Sequence, residues 1–337
     1  MFPYKITNIE GNDGKELVEL FKGQAAGFVQ VGPKKWTLPA KYAEHAEKYY
    51  TFDLKQDDLW VMTHPRSGSN WMQELLWLIN NKLDYEISTK IPINKRFPFF
   101  ESNMVFSDKF LKEMAELNDN DPEVMKIIKN YDTPGYITGE TMKSPRHFKT
   151  HLPPSLMPPN LLDTCKVVYV ARNPFDVAVS FYHQNKLIKA IDYQSDFEKY
   201  WELFERDLII YSPYWEHIKE GWEKRNHPNL LFLFYEDLLR DLHGNIRKIC
   251  TFLNKQMTDD EIKTLADHLH IDNFRKNCTI ISNISKINGM INPEAQGFIR
   301  RGKIGGNEEF NDDKIKLRAE KWFRENLAKT DIVFPEF

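Results

Sequence analysis

Cysteine is scarce in this chain, which has three among 337 residues, and their spacing is not that of a metal site. A low, odd count is typical of a protein from a reducing compartment. Long apolar runs are also missing, since none approaches the roughly 20 residues that a membrane-spanning helix needs. The first residues lack the apolar core of a signal peptide. We therefore expect a cytoplasmic protein with no membrane span and no cysteine-bound metal.

An excess of charge of one sign is absent as well. The chain has 46 Lys and Arg residues against 49 Asp and Glu residues, for a formal net charge of −3 at pH 7. Such a balance does not create a global field that gathers nucleic acid, so we expect no nucleic-acid partner. The Walker A pattern GxxxxGK(S/T) is also missing, which argues against the usual cradle for the phosphates of ATP or GTP.

Apolar residues make up 41% of the chain and aromatic residues 13%, enough for a large core and an aromatic pocket. Three short apolar runs, Leu59–Met62, Lys166–Arg172 and Leu230–Phe234, are typical of buried strands, and helical patterns follow each of them. This alternation predicts one α/β domain over residues 1–337, with a central parallel β-sheet flanked by helices.

The segment Leu59–Asn81 has the pattern of a strand, a tight loop and a helix. Gly68 permits a sharp turn, and Ser69 or Asn70 is expected to cap the helix. Free backbone N–H groups at a helix start, beside the cation of Arg66, form a binding site for an anion. The segment therefore predicts a P-loop-like anion-binding turn between a strand and a helix.

Five segments stand out along the chain: His64–Trp71 (HPRSGSNW), Phe148–Pro153 (FKTHLP), Arg172–His183 (RNPFDVAVSFYH), Tyr235–Asp237 (YED) and Phe298–Gly302 (FIRRG). In order and spacing they resemble the motifs of cytosolic sulfotransferases over roughly residues 45–305. Enzymes of that family transfer a sulfuryl group from PAPS (3′-phosphoadenosine 5′-phosphosulfate) to a hydroxyl or amine and release PAP. One such motif is a weak signal, whereas five in order are specific.

The resemblance implies a PAPS site that needs no metal. Backbone N–H groups of residues 66–70 would hold the 5′-phosphate and the sulfuryl group of this P-loop-like phosphosulfate-binding turn. Trp71 and two phenylalanines would stack on the adenine, Tyr235 would touch its edge, and arginines with a serine would bind the 3′-phosphate. The implied cofactor-binding residues are Arg66, Ser67, Gly68, Ser69, Asn70, Trp71, Arg172, Ser180, Tyr235, Phe274, Phe298, Arg300, Arg301 and Gly302.

The resemblance also implies three catalytic residues. His151 would take the proton of the acceptor as general base, since an imidazole near its ordinary pKa suits that role at neutral pH. Lys149 would stabilise charge on the transferring group. Arg66 stands where the family has a lysine that assists the leaving phosphate. Because an arginine presents a planar fork, its angle to the bridging oxygen would differ from that of a lysine.

On the acceptor side, the resemblance implies a small apolar alcohol or phenol, such as a sterol, a retinoid or another terpenoid alcohol. Two amphipathic segments, DKFLKEMAEL and PEVMKIIKNY, predict helices within residues 102–146, a stretch about 30 residues longer than the vertebrate-type pattern. It is similar to the helical insert of insect members of the family, and we expect it to form an active-site lid. The implied substrate-binding residues are Phe28, Phe99, Phe100, Lys149, His151, Gln184 and Tyr214.

Two other functions remain compatible with these motifs. A PAPS-dependent retinol dehydratase-like enzyme would sulfate an allylic alcohol and then eliminate the sulfate, and a catalytically idle PAP-binding protein would perform neither step. A nucleotide kinase-like phosphotransferase is disfavoured because the Walker A pattern is missing. The dimer motif KxxxTVxxxE of the family is also absent after Gly302, so we expect a monomer or a dimer that forms by another route.

Overall fold

The structure is a computed structural model that describes residues 1–277, 286–297, 305 and 308–335. The strands in these residues are β1 (Ile6–Asn8), β2 (Phe28–Val31), β3 (Trp36–Pro39), β4 (Leu59–Thr63), β5 (His147–Thr150), β6 (Lys166–Ala171) and β7 (Leu230–Phe234). The α-helices are α1 (Gly11–Leu20), α2 (Tyr42–Tyr50), α3 (Ser69–Asn80), α4 (Tyr85–Lys90), α5 (Ile93–Arg96), α6 (Asp108–Leu117), α7 (Pro122–Asp132), α8 (Gly135–Thr141), α9 (Leu161–Thr164), α10 (Pro174–Leu187), α11 (Phe197–Glu205), α12 (Tyr214–Glu223), α13 (Tyr235–Arg240), α14 (Leu242–Phe252), α15 (Asp259–Leu269), α16 (Ile271–Asn277) and α17 (Asp313–Leu327). Short 3₁₀ turns span Lys22–Gln24, Ser102–Val105, Pro154–Leu156 and Glu308–Phe310.

The central sheet has four parallel strands in the order β5-β4-β6-β7. Strand β4 is buried along its whole length, and successive side chains alternate between two hydrophobic cores. Trp60 and Met62 join the core on one face of the sheet, whereas Leu59 and Val61 join the other. This burial on both faces explains the continuous apolar runs, because helices cover both sides of a parallel sheet. The predicted α/β fold with a central parallel sheet flanked by helices is confirmed.

A second, antiparallel sheet of β1, β2 and β3 precedes the central one and was not predicted from the sequence. Its strands have only three or four residues, too few to show a period of two. Gly32, at φ +69°, begins the turn that leads from β2 towards β3. Phe28 and Leu38 are buried and join the core.

Residues 102–146 contain three helices, α6, α7 and α8, which end just before β5. The two amphipathic helices predicted in this stretch are confirmed, at Asp108–Leu117 and Pro122–Asp132. Their apolar faces form a small separate core with residues that follow α10 and with residues near Met290. Among the described residues, no helix combines the length and the apolar character that crossing a bilayer requires.

Candidate active site

The turn between β4 and α3 depends on two residues with left-handed backbone conformations. Arg66 has φ +70° and Gly68 has φ +92°. A Cβ atom at Gly68 would lie 2.6 Å from Tyr235 Cδ2, so glycine is needed for space as well as for conformation. The prediction that Ser69 or Asn70 caps the helix is wrong. Gly68 occupies the N-cap position and no side chain caps α3, because both polar residues lie within its first turn.

Two guanidinium groups lie beside this turn and connect it to α10. Arg66 Nε donates to Ser180 Oγ at 2.9 Å, and Arg172 Nη1 donates to Arg66 O at 3.0 Å. Arg172 Nη2 also lies 3.5 Å from Asp176 Oδ2, and its guanidinium carbon is 4.5 Å from the centre of the Tyr235 ring. The start of a helix and two cations form a strong binding site for an anion.

We call the space next to these cations the first cavity, which has a volume of about 500 Å³. Its wall includes the anion-binding turn, the two arginines and an aromatic and apolar region formed by α3, α13, α15 and α16. Trp71 belongs to that region, and its indole N–H donates to Leu269 O at 2.9 Å. The residues predicted for the site that line this cavity are Arg66, Gly68, Ser69, Asn70, Trp71, Lys149, His151, Arg172, Ser180, Gln184, Tyr235 and Phe274.

Five predicted cofactor-binding residues remain, and the structure describes one of them, Ser67, which does not line this cavity. Ser67 is fully buried, and its hydroxyl has no hydrogen-bond partner among the described residues. The other four lie outside the described residues: Phe298, Arg300, Arg301 and Gly302.

The second cavity, of about 490 Å³, lies under the helices of residues 102–146 and is mostly apolar. Its aromatic wall includes Phe97, Phe99, Phe106, Phe181 and Tyr211. Four residues line both cavities and mark the place where they meet: Asn70, Lys149, His151 and Gln184.

His151 lies at this junction with a defined tautomer. Its Nδ1 atom is 2.8 Å from Thr63 O and 3.0 Å from Thr63 Oγ1. Because a carbonyl oxygen only accepts, Nδ1 carries the hydrogen and the lone pair is on Nε2. The sequence suggested a pKa near the ordinary value for histidine. Instead, burial lowers the pKa of His151 well below 6.5, and the nearby Lys149 lowers it further.

Lys149 is half-buried beside His151. Its Nζ atom lies 3.4 Å from Asn70 Oδ1 and 4.3 Å from the centre of the Phe99 ring. Burial lowers the pKa of Lys149 to about 8, with Glu101 opposing the shift and Arg66 adding to it. Asn70, which departs from the family pattern, thus supplies a polar partner for the amine.

Three residues that the sequence did not single out hold the His151 segment. Glu101 is fully buried and accepts hydrogen bonds from His151 N at 2.6 Å and from Thr150 Oγ1 at 2.8 Å. Burial raises the pKa of this carboxyl group to about 7. His217 Nε2 donates to His151 O at 2.9 Å, and the Tyr211 ring centre is 5.5 Å from that of His151. An acidic residue closing the run FPFFE was the only sequence signal for any of these contacts.

Three predicted substrate-binding residues pack in the core instead of lining either cavity. The Phe28 ring lies 5.7 Å from that of Phe21, and the Phe100 ring lies 5.0 Å from that of Trp60. The hydroxyl of Tyr214 donates to Arg172 O, so this side chain supports the first cavity from behind. Phe99 and Gln184 do line the second cavity.

The chain is similar to known proteins over nearly its whole length. The Sulfotransferase domain family matches residues 56–331. Luciferin sulfotransferase of Photinus pyralis is 30% identical over 312 residues, or 91% of this chain and 81% of that protein. A crystal structure of retinol dehydratase in complex with androsterone and inactive cofactor PAP has a TM-score of 0.90 at 35% identity, covering 100% of this chain and 99% of that chain. A second crystal structure of retinol dehydratase, in a complex with retinol and PAP, has a TM-score of 0.92 at 35% identity, covering 99% of this chain and 99% of that chain. The chain therefore belongs to the sulfotransferase family.

Proposed function

We propose that this sulfotransferase uses PAPS to sulfate the hydroxyl group of a small apolar acceptor. The observation that carries the proposal is the junction of two cavities at Lys149 and His151. One cavity has cations and aromatic rings, as a nucleotide with phosphate groups requires. The other is mostly apolar, as a hydrophobic alcohol or phenol requires.

The residues of the first cavity fit the chemical groups of PAPS. Arg66, Arg172 and the start of α3 would bind phosphate and sulfate oxygens. Trp71 and Phe274 would contact the adenine on the apolar side of the cavity. When bound, PAPS supplies the sulfuryl group, and PAP remains after the transfer. The described residues contain no group of three or more His, Cys, Asp or Glu side chains arranged to hold a metal ion, and metal independence stays a prediction.

The residues at and near the junction would have separate roles in the transfer. His151 Nε2 would accept the proton of the acceptor hydroxyl, since Nδ1–H is already used by Thr63 O. Lys149 would stabilise negative charge between the two cavities. Arg66 would stabilise the leaving phosphate, but its side chain is already bonded to Ser180, which restricts its direction.

The acceptor is proposed to be a sterol, a retinoid, another terpenoid alcohol or a phenol. The apolar second cavity supports this class, and so do two structures of retinol dehydratase, one in complex with androsterone and one with retinol. The helices of residues 102–146 contribute several residues to the wall of this cavity, including Phe106 and Tyr131. We propose that they act as its lid and that residues 1–337 form one domain.

A retinol dehydratase-like reaction is the second candidate. It is favoured by 35% identity to retinol dehydratase over nearly the whole of both chains. In that reaction the sulfated allylic alcohol would lose its sulfate by elimination. An idle PAP-binding protein is disfavoured, because the proposed base and cation both lie at the junction. A monomer, or a dimer formed by a route other than the family motif, stays a prediction.

Incubation with PAPS and a panel of phenols, sterols, retinoids and other terpenoid alcohols tests these functions. A stable sulfate ester in the mass spectrum would support transfer. An anhydro product with free inorganic sulfate would support the dehydratase. Binding of PAP with no product from any acceptor would support the catalytically idle PAP-binding protein.

Arg172→Ala tests the first cavity. It should weaken PAP binding by several kcal/mol because it removes a charge-assisted contact.

A further inference from the structure

Glu101 is a fully buried carboxyl group that directly precedes residues 102–146. It is 0% exposed, and no described Lys, Arg or His side chain lies within ion-pair distance of it. Its backbone is fixed to β5, since Phe100 N donates to Lys149 O at 2.8 Å and Lys149 N donates to Pro98 O at 2.9 Å. Burying a carboxyl group is costly unless donors satisfy it, so the hydrogen bonds of Glu101 indicate its role.

Both oxygens of Glu101 accept hydrogen bonds from the segment that carries the proposed base. Oε1 accepts from His151 N at 2.6 Å, and Oε2 accepts from Thr150 Oγ1 at 2.8 Å. A backbone N–H group only donates, and Thr150 Oγ1 already accepts from Leu152 N at 3.0 Å. Two donors that point at one carboxyl group match its ionised form, which only accepts.

Uptake of a proton by Glu101 disturbs this arrangement. The added O–H group is a donor, and on either oxygen it meets a hydrogen that already points there. At least one of the two bonds must then weaken, and bonds to a neutral group are about half as strong as those to an ionised one. The His151 segment thus loses part of its support when this carboxyl group becomes neutral.

The pKa of Glu101 puts this change in the neutral pH range. Burial raises the pKa to about 7, while the hydrogen bonds from His151 N and Thr150 and the charge of Lys149 oppose the increase. The carboxylate therefore accepts both bonds fully above about pH 7 and takes up its proton as the pH falls through that value.

The other titratable groups described around this carboxyl group titrate at a different pH. Tyr42 and Tyr49 on α2 and Tyr211 shortly before α12 interact with it electrostatically, and burial keeps the pKa of each tyrosine above 10. Burial also keeps the pKa of the His151 ring well below 6.5. Lys149 on β5 titrates higher, with a pKa of about 8.

We propose that Glu101 is a positioning residue for sulfuryl transfer. Its ionised carboxylate holds His151 at the junction of the two cavities, and uptake of one proton weakens this hold and slows the reaction. The inference rests on the proposed function, in which His151 is the base. It assigns the acid limb of the rate profile to Glu101 instead of His151.

The pH dependence of kcat/KM with an aliphatic alcohol tests this assignment. In wild type the value should fall by roughly 10-fold as the pH decreases through about 7, as for the loss of one charge-assisted hydrogen bond. Glu101→Gln keeps an acceptor for His151 N but has no charge, so it should be slower above that pH and should lack the limb. Its alkaline limb should lie at lower pH, because Glu101 opposes the loss of the Lys149 charge.

Two further variants separate positioning from a purely structural role. Thr150→Val removes one donor to the ionised carboxylate, so the acid limb should move to higher pH. Loss of a residue that only supports the fold would not shift that midpoint. Glu220 is another buried glutamate that accepts a backbone N–H bond, from Ser155 N at 2.7 Å, and it lines neither cavity. Glu220→Gln is the matched control and should keep the wild-type limb.

The backbone amide of His151 provides a measurement that does not depend on turnover. In NMR spectra of protein with isotope-labelled histidine, its signal is the one that disappears in His151→Asn. The chemical shift of the His151 amide proton should titrate with a midpoint near pH 7 in wild type, because its acceptor Glu101 changes charge there. This titration should be absent in Glu101→Gln.

The outcomes distinguish this inference from the proposed function. An acid limb that Glu101→Gln leaves unchanged would overturn the inference, and so would a His151 amide that does not titrate near pH 7. If Glu101→Gln fails to fold, the wild-type amide and the midpoint in Thr150→Val still decide. If no acceptor of the panel is sulfated, the proposed function fails, and the amide titration alone decides whether Glu101 holds His151.

Discussion

The backbone carbonyl of Thr63 fixes the tautomer of the His151 side chain. It binds the hydrogen on Nδ1 and so leaves Nε2 as the basic atom. Burial keeps the imidazole neutral throughout the neutral pH range, because its pKa lies well below 6.5. As the proposed base, His151 would therefore be ready in its unprotonated form and would become charged only during transfer.

We expect His151→Asn to lower kcat by about 10²–10⁴-fold with an aliphatic alcohol, whose high pKa makes removal of the proton necessary. The asparagine amide can still donate to Thr63 O, so the segment should keep its position and PAP should bind as in wild type. Saturated turnover rates and calorimetric titration with PAP measure the two effects. Near-normal turnover would show that water or another group takes the proton. Loss of PAP binding would make His151 a structural residue.

The lowered pKa of Lys149 predicts how kcat/KM changes at alkaline pH. Because burial lowers its pKa to about 8, the amine loses its charge as the pH rises through that value. The kcat/KM profile, which reports on the free enzyme, should therefore fall above about pH 8. In Lys149→Arg the cation persists, so the variant should be slower but should lack this alkaline limb. An unchanged limb in the variant would assign the titration to another group.

The sequence identified the four residues that line both cavities and about half of the wall of the first, because four of its motifs are continuous segments at the ends of β4, β5, β6 and β7. Arg66, Trp71 and Arg172 are examples. It could not identify Glu101 or Tyr211, whose contacts with the His151 segment depend on how distant segments fold together. For the same reason it could not tell that Phe28, Phe100 and Tyr214 pack in the core.

At the scale of elements, α2 holds the helices of residues 102–146 through one face. Lys41, just before α2, pairs with Asp108 at 2.6 Å and with Asp132 at 3.0 Å. One turn later, His45 Nδ1 lies 3.0 Å from the Tyr136 hydroxyl. Another turn on, the Tyr49 hydroxyl donates to the side chain of Asn103 at 2.5 Å. The spacing of four residues puts all three contacts on one helical stripe.

Lys41→Met should loosen the proposed lid. The change removes both ion pairs and the hydrogen bond to Phe106 O at 3.1 Å. We expect the acceptor KM to rise several-fold while the PAPS KM stays within a factor of about two, because the first cavity does not contact these helices. Lys112→Met, which removes only a pair with Glu116 on the exposed face of α6, is the matched control. Equal acceptor KM values in the two variants would contradict the lid.

Amphipathic periodicity was sufficient to predict α6 and α7, because each is long enough to show a 3.6-residue repeat. The surface that they cover was not predictable, since a hydrophobic stripe does not specify its partner. Strands β1 to β3 were missed because they are too short to show a pattern.

At the scale of the whole molecule, a buried ion pair joins the central sheet to α8, the last helix of residues 102–146. Arg146 and Asp58, 2% and 0% exposed as side chains, are linked by two hydrogen bonds of 2.6 and 2.7 Å. Arg146 also donates to Gly139 O on α8 and to Asp53 O. Asp58 directly precedes β4 and Arg146 directly precedes β5, so loss of this ion pair should destabilise the whole fold.

Asp58→Asn should lower the free energy of unfolding by about 3–5 kcal/mol, because it leaves a buried guanidinium without its counter-charge. Urea denaturation measures the change. Arg247→Ala, which removes an exposed pair with Asp259, should change stability by no more than about 1 kcal/mol. A similarly small change in Asp58→Asn would mean that the carbonyl groups around Arg146 suffice to hold it.

The shared wall of the two cavities has a consequence for the order of events. Since Asn70, Lys149, His151 and Gln184 border both spaces, donor and acceptor can lie side by side in a ternary complex. The sulfuryl group then needs no covalent carrier on the enzyme, as a double-displacement reaction would. Initial-rate lines should intersect rather than run parallel, and a chiral sulfate should be transferred with a single inversion at sulfur.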